Sequence, residues 1–310
     1  MPLRYNEPTE RVLGTKKKRK MKILSLFDGI SCGMVALQRA GIEVERYDAY
    51  EIEKSAIAIS KKNYPNICHC GNVYDADFSK YNDFDLLIGG SPCTYWSIAR
   101  KDRETTSSGI GFNLFMQFVK AKEQSGCTYF LYENNNSISK EIKDEISKYL
   151  GVPPIMINSE LVSAQSRKRC YWTNIPNVTQ PKDKGIKLKD ILENGWVDRE
   201  KSLCLTRRYA GFTGSQSYLC RRYFGKSMGQ AKFVSEKKYI SVKSKWKENK
   251  YFDSDQIEID KLSITEVERL QTLPDGYTEC DGVSYSQRVE AVGNGWTVDV
   301  IAHILKELKK

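Results

Sequence analysis

The 310-residue sequence predicts an α/β fold with a mostly parallel sheet, helices on both faces, antiparallel closing strands and a small basic insert. Three observations predict it. From Met21 onward, short apolar runs alternate with stretches of helical periodicity, the pattern of repeated β-α units. Two later apolar runs follow one another with no helix between them. After residue 178 the regularity lapses into basic, aromatic-bearing chain and resumes at Ser263.

Taken in order, the units are "KILSLF" with "GMVALQRAG", "VERYDAYE" with "KSAIAISKKNY", "FDLLIGG" with "GFNLFMQFVKAKEQ", and "TYFLYE" with "SKEIKDEISKYLG". Each first member has the length and apolar content of a buried parallel strand, and each second has the period of a covering helix. "PIMINSELV" and "RKRCYWTNI" read as an antiparallel pair closing the sheet. "SITEVERLQTLP" and "SQRVEAVGNGWTVDVIAHILKELKK" return the chain to helix. The organisation expected is a basic flexible tail over 1–20, a catalytic and cofactor-binding domain over 21–178, an insert over 179–259 and a C-terminal segment over 260–310 that rejoins the large domain. The tail ends in "TKKKRK", which is compatible with a nuclear address, with phosphate contact or with no role.

Charge singles out the insert. Residues 180–250 hold 18 Lys/Arg against 7 Asp/Glu, which accounts for the whole of the chain's formal +10. Interleaved with Tyr, Phe and Trp, this block reads as the footprint of a polyanion, nucleic acid before membrane, against the plainer reading of a soluble lysine-rich surface. No signal peptide and no apolar run of membrane-spanning length is evident, and nine cysteines suit free thiols in a reducing cytoplasm. "CHC" at 68–70 resembles zinc ligands in composition only: adjacent residues do not easily share a tetrahedral site, and the only other histidine is His303. No metal and no membrane partner are expected.

Two loops stand where chemistry collects in open α/β folds, beyond the carboxyl ends of the strands. In "FDGISCG" the glycines Gly29 and Gly33 allow a tight turn and a close approach at a helix N-terminus, and Glu51 ends the second strand at the distance of a ribose-binding acid. These imply an adenosine-bearing cofactor. The spacing lacks the G-x-G-x-x-G of nicotinamide binders, which favours S-adenosylmethionine. In "IGGSPCTYW", Gly89 and Gly90 are expected to end the strand by adopting angles that other residues resist, presenting Cys93 on a Pro-stiffened loop. By itself this cysteine is either a nucleophile or a small buried filler.

With "FDGISCG", "SPC", "ENN", "QSRKR", "RLQTLP" and "GNGWTVDV" in that order, the chain resembles the DNA cytosine-5 methyltransferases, in flavour the catalytic domains of the animal de novo enzymes. The resemblance runs from Met21 to Lys306 apart from the insert, which in this family is the target recognition domain. It implies the S-adenosylmethionine-dependent methyltransferase fold, double-stranded DNA as partner, and methylation of C5 of a flipped cytosine through a Cys93–C6 adduct. Glu133 would act at N3 and Arg167 near O2, with Arg169 in the same catalytic set. Without the resemblance, Glu133 reads as a rim carboxylate capping a helix from Ser137, and Arg167 as a surface cation. Asp28, Gly29, Ile30, Ser31 and Cys32 would line the methionine end of the cofactor and Glu51 the ribose. Asn72, Val73 and Leu114 would meet the adenine, Phe27, Ile52 and Pro92 would add to the pocket, and Asn294, Gly295 and Trp296 would complete it.

In the insert, Arg207, Arg208, Arg221 and Arg222 are candidates for phosphate and guanine contacts. Asn72 and Asn135 depart from the family pattern, which has an acid and a small apolar residue there. A transfer-RNA cytosine methyltransferase and a catalytically silent DNA-binding relative remain as alternative readings, and a hydride-transferring dehydrogenase as a distant one.

Overall fold

The computed structural model describes residues 20–97, 101–205, 216–225, 231–248 and 258–309. A seven-stranded sheet is ordered β3-β2-β1-β4-β5-β7-β6, made of β1 (Met21–Leu26), β2 (Val44–Tyr50), β3 (Cys68–Gly71), β4 (Leu86–Gly89), β5 (Tyr129–Asn135), β6 (Ile155–Asn158) and β7 (Lys168–Thr173). The first five strands pair in parallel, and β7 runs antiparallel to both β5 and β6. The antiparallel pair expected from the sequence is therefore present, with β7 between β5 and β6. β3 was not anticipated, because "CHCG" is short and carries no apolar run.

Alternation along the strands divides the interior into two cores. Ile23, Leu86, Ile88 and Leu131 point to one face, where α1 (Cys32–Ala40), α2 (Lys54–Asn63) and the C-terminal helices pack. Leu24, Leu87, Phe130 and Tyr132 point to the other, under α3 (Ile110–Gln124) and α4 (Lys140–Leu150). Helix ends follow local chemistry. The Ser139 hydroxyl caps α4 by accepting from Ile142 N at 3.2 Å, so the helix starts three residues later than Ser137.

The insert holds more order than its sequence announces. α5 (Gln216–Phe224), β8 (Ala231–Phe233), α6 (Glu236–Glu248) and β9 (Ile259–Lys261) enclose a core of their own built on Leu219, Tyr223, Phe233, Tyr239 and Ile259. Leu188, Ile191, Val197 and Leu205 belong instead to the core of the large domain. A buried ion pair, Lys232 Nζ to Glu266 Oε1 at 2.7 Å, ties β8 to α7 (Ile264–Leu270). α7 opens with a reciprocal capping box between Ser263 and Glu266. α8 (Tyr285–Asn294) and α9 (Val298–Leu305) follow, and α9 packs along α1, with Arg39 Nη1 2.6 Å from Asp299. Among the described residues no helix is long and apolar enough to cross a membrane.

Candidate active site

The first strand ends in a turn of unusual backbone. Phe27, Gly29 and Ser31 all have positive φ, at 57°, 61° and 59°. Two of the three are not glycine, so surrounding contacts must hold the strain. Asp28 supplies them. Its carboxylate accepts from Ser25 Oγ at 2.6 Å, Ser31 Oγ at 2.5 Å and Tyr47 OH at 2.6 Å. Loss of water raises the Asp28 pKa above its usual value, and the three hydroxyls work against that rise. Glu51 closes the turn from β2: Oε2 accepts from Gly29 N at 2.8 Å, and Oε1 from Ile52 N and Glu53 N at 2.8 Å each.

Gly33 serves differently from what the turn suggested. A Cβ there would stand 2.6 Å from Ile88 Cδ1 and 2.7 Å from Tyr47 OH, so glycine lets α1 lie against the sheet. Gly89 and Gly90 also need correction. Neither has positive φ; a Cβ at Gly89 would meet Leu26 O at 2.7 Å, and one at Gly90 would meet Glu133 O at 2.8 Å. Their role is close packing of strand backbones, not a special backbone angle.

Beside Glu51 lies a cavity of about 490 Å³. Phe27, Glu51, Ile52, Asn72, Val73, Pro92 and Leu114, all selected from the sequence, line it together with Tyr50, Tyr74, Thr94, Tyr95 and Ile110, which were not. A carboxylate, an amide and apolar walls are a donor set that fits an adenosine group. Asn72 Oδ1 already accepts from Tyr74 N at 3.1 Å, capping the turn that carries Val73. Asp28, Gly29, Ile30, Ser31, Cys32, Asn294, Gly295 and Trp296 do not line this cavity. Ile30, Ser31 and Cys32 are buried, and burial pushes the Cys32 thiol up to about 12. Asn294 is exposed at the end of α8.

The loop after β4 carries Cys93, partly exposed, at the start of a single 3-10 turn. Ser91 anchors the loop to β5: its hydroxyl lies 2.7 Å from Tyr132 OH, and its carbonyl accepts from Asn134 Nδ2 at 3.1 Å. The departure at Asn135 also finds a partner, since Oδ1 accepts from Ser137 N at 3.0 Å and shapes the turn leaving β5.

Next to this loop stands Glu133. Arg169 Nε lies 3.0 Å from Oε1, and Trp296 Nε1 donates to Oε2 at 3.0 Å. Burial works to lower the Arg169 pKa, but the charges of Cys204, Glu133 and Cys93 outweigh it and raise the value. Arg167 is only 4% exposed and so is not a surface cation. It donates to the carbonyls of Leu205 at 2.9 Å, Gly293 at 3.2 Å and Gly295 at 3.0 Å. Gln165 completes this hub: Nε2 donates to Leu270 O at 2.6 Å, and Oε1 accepts from Leu205 N at 3.1 Å. "QSRKR", "RLQTLP", "GNGW" and the head of the insert thus meet at one place.

Cys204, which no sequence signal marked, lies 3.5 Å from Arg167 Nη1 and 3.8 Å from Arg169 Nη2. Burial pushes its thiol up, yet the two guanidinium groups prevail and hold it below its usual value. In the insert, Arg221 is exposed and Arg222 half-buried on α5, whereas Arg207 and Arg208 lie outside the described residues.

The Orphan methyltransferase M.Rho11sI of Bacillus phage rho11s is 28% identical over 193 residues, covering 57% of this chain and 38% of that protein, so the chain spans about two fifths of that relative's length. The Type II methyltransferase M.NlaX of Neisseria lactamica is 26% identical over 313 residues, 93% of this chain and 96% of that protein. The structure of the Entamoeba histolytica methyltransferase EhMeth shares the fold with a TM-score of 0.69 at 14% identity, over 94% of this chain and all of that one. The family model described as C-5 cytosine-specific DNA methylase matches residues 21–310, and the chain belongs to that family.

Proposed function

We propose that this chain transfers the methyl group of S-adenosylmethionine to C5 of cytosine in DNA, with Cys93 adding covalently to C6. The observation that carries the reading is the Glu133–Arg169 pair, 3.0 Å apart beside the cysteine loop. Cytosine C5 is a poor nucleophile. Addition of a thiolate at C6 makes it the terminal carbon of an enamine, and charge develops on the ring at N3 and O2. Glu133 is suited to hold a proton at N3. Arg169 suits O2 better than Arg167, because the Arg167 guanidinium is already spent on three carbonyls.

Phe27, Ile52, Val73, Pro92 and Leu114 would hold the adenosine of the cofactor, with Glu51 toward the ribose. Bound there, S-adenosylmethionine supplies an electrophilic methyl group. Methyl transfer to C5 would leave the cofactor as its neutral thioether, S-adenosylhomocysteine; the C5 proton would then pass to water and Cys93 Sγ would leave C6 as thiolate, restoring the aromatic ring. A base inside a stacked duplex cannot reach the loop, so the cytosine must be swung out of the helix. The basic insert and the family's description support DNA as the substrate.

DNA carrying 5-fluorocytosine tests the proposal, because fluorine cannot leave as a cation and elimination stops. In the presence of S-adenosylmethionine the expected product is a protein–DNA adduct that survives denaturing electrophoresis. Cys93→Ser should form none, and Glu133→Gln should form it more slowly. An adduct that persists in Cys93→Ser would refute the assigned nucleophile, and trapping on RNA but not on DNA would replace the substrate.

A further inference from the structure

β3 is the outermost strand of the sheet and leads through Gly71 into Asn72 and Val73 of the cavity wall. Along a strand successive side chains point to opposite faces, so Cys68 and Cys70 share one face and His69 takes the other. The two sulfurs lie 3.9 Å apart. His69 turns away, with Nε2 3.4 Å from the Ser60 hydroxyl. Asp48, the cross-strand partner of Cys68 on β2, completes a cluster in which one carboxylate oxygen and both sulfurs lie within 4.8 Å of one another. The objection raised by three adjacent ligands does not apply, because the pleat skips the middle one.

We propose that Cys68, Cys70 and Asp48 bind a thiophilic divalent cation of the zinc or cadmium kind at this sheet edge. Tetrahedral coordination with metal–sulfur bonds of about 2.3 Å places two thiolates roughly 3.8 Å apart. The observed 3.9 Å needs no rearrangement. Asp48 offers the third ligand, and the exposure of Cys68 leaves a further position open to water. Charge favours a divalent ion. Arg46 holds both Asp48 oxygens, at 2.8 and 2.7 Å, and cancels the carboxylate, so two thiolates remain to be neutralised. The Tyr81 hydroxyl donates to Cys70 Sγ at 3.7 Å, an outer contact of the kind that orients a metal ligand. Binding releases the two thiol protons to solvent and consumes no oxidant or reductant.

Cadmium added to the reduced full chain is the probe, followed by equilibrium dialysis and by the ultraviolet absorbance of cadmium–thiolate charge transfer. Outer hydrogen-bond partners of metal sites are worth roughly 10- to 100-fold in affinity, so loss of a sulfur ligand should weaken binding by about 100-fold or more. Cys68→Ser and Cys70→Ser should each show that loss, while Cys280→Ser, a partly exposed cysteine in another segment, should bind as the parent does. Cadmium should also raise the thermal midpoint of the parent but not of the two β3 variants, whose metal-free midpoints should match the parent's. Unchanged binding in both β3 variants would overturn the site. So would loss in one of them alone, which would mean a single-thiol contact.

Discussion

Trp296 donates its indole N–H to Oε2 of Glu133 at 3.0 Å, joining residues 163 positions apart in the chain. With Arg169 on Oε1, this leaves the carboxylate one orientation in front of the Cys93 loop. A hydrogen bond to a charged group is worth roughly 1.5–3 kcal/mol. Trp296→Phe keeps most of the ring and removes the donor. Its kcat should fall by about tenfold or more, with cofactor affinity changed far less. Steady-state kinetics alongside calorimetric titration of the cofactor would separate the two, and an equal loss in both would make Trp296 a cofactor contact instead.

Gly90→Ala should disturb the same carboxylate from the other side. The added methyl would stand 2.8 Å from Glu133 O, 3.1 Å from Glu133 Oε2 and 3.4 Å from Trp296 Nε1. Backbone cannot swing aside as a side chain can. Overpacking of this kind costs about 1–3 kcal/mol, so chemical denaturation should show a lower midpoint, and turnover should drop by about tenfold or more as the geometry shifts. Wild-type turnover in Gly90→Ala would mean that the site tolerates movement of Glu133.

Cys204 makes stability depend on pH. Its folded-state pKa lies below the ordinary 9.0, because Arg167 and Arg169 outweigh the opposing effect of burial. The unfolded chain therefore binds more protons in the window below 9.0, and stability rises with pH through it. The contribution is fully present above 9.0 and is lost as pH falls through the folded-state value. Thermal unfolding of Cys204→Ser should show a flatter profile across this window than the parent. Parallel profiles would mean that the two arginines do not lower the Cys204 pKa.

DNA binding should weaken steeply with salt, since each phosphate neutralised by the basic insert releases condensed counterion. Arg221 is exposed on α5. If it meets a phosphate, Arg221→Ala should lower the slope of log affinity against log salt by about one unit, with cofactor affinity untouched. Fluorescence anisotropy at several salt concentrations reads the slope, and an unchanged slope would take Arg221 off the phosphate backbone.

Sequence alone determined the elements whose physics is local. Alternating strand and helix patterns from Met21, the antiparallel pair at the end of the sheet and the concentration of charge in the insert need only the order of side chains along the chain, and the structure retains them. Glu51 was legible from its place at the end of the second strand, whereas Phe27, Ile52, Asn72, Val73, Pro92 and Leu114 were implied by the resemblance to the family, and folding brings all seven to the wall of one cavity. Tertiary structure decided what depends on distant partners. Arg167 and Arg169 are two residues apart and chemically identical, yet one is enclosed by carbonyls of Leu205, Gly293 and Gly295 and the other faces Glu133. Cys204 owes its lowered pKa to two arginines more than thirty positions away. Gly90 is required by the carbonyl of Glu133 and not by any angle of its own. Spacing encodes which face of a strand or helix a side chain takes, but the atoms it meets are set by pairing strands and returning segments, so charge, burial and close approach at this site arise only on folding.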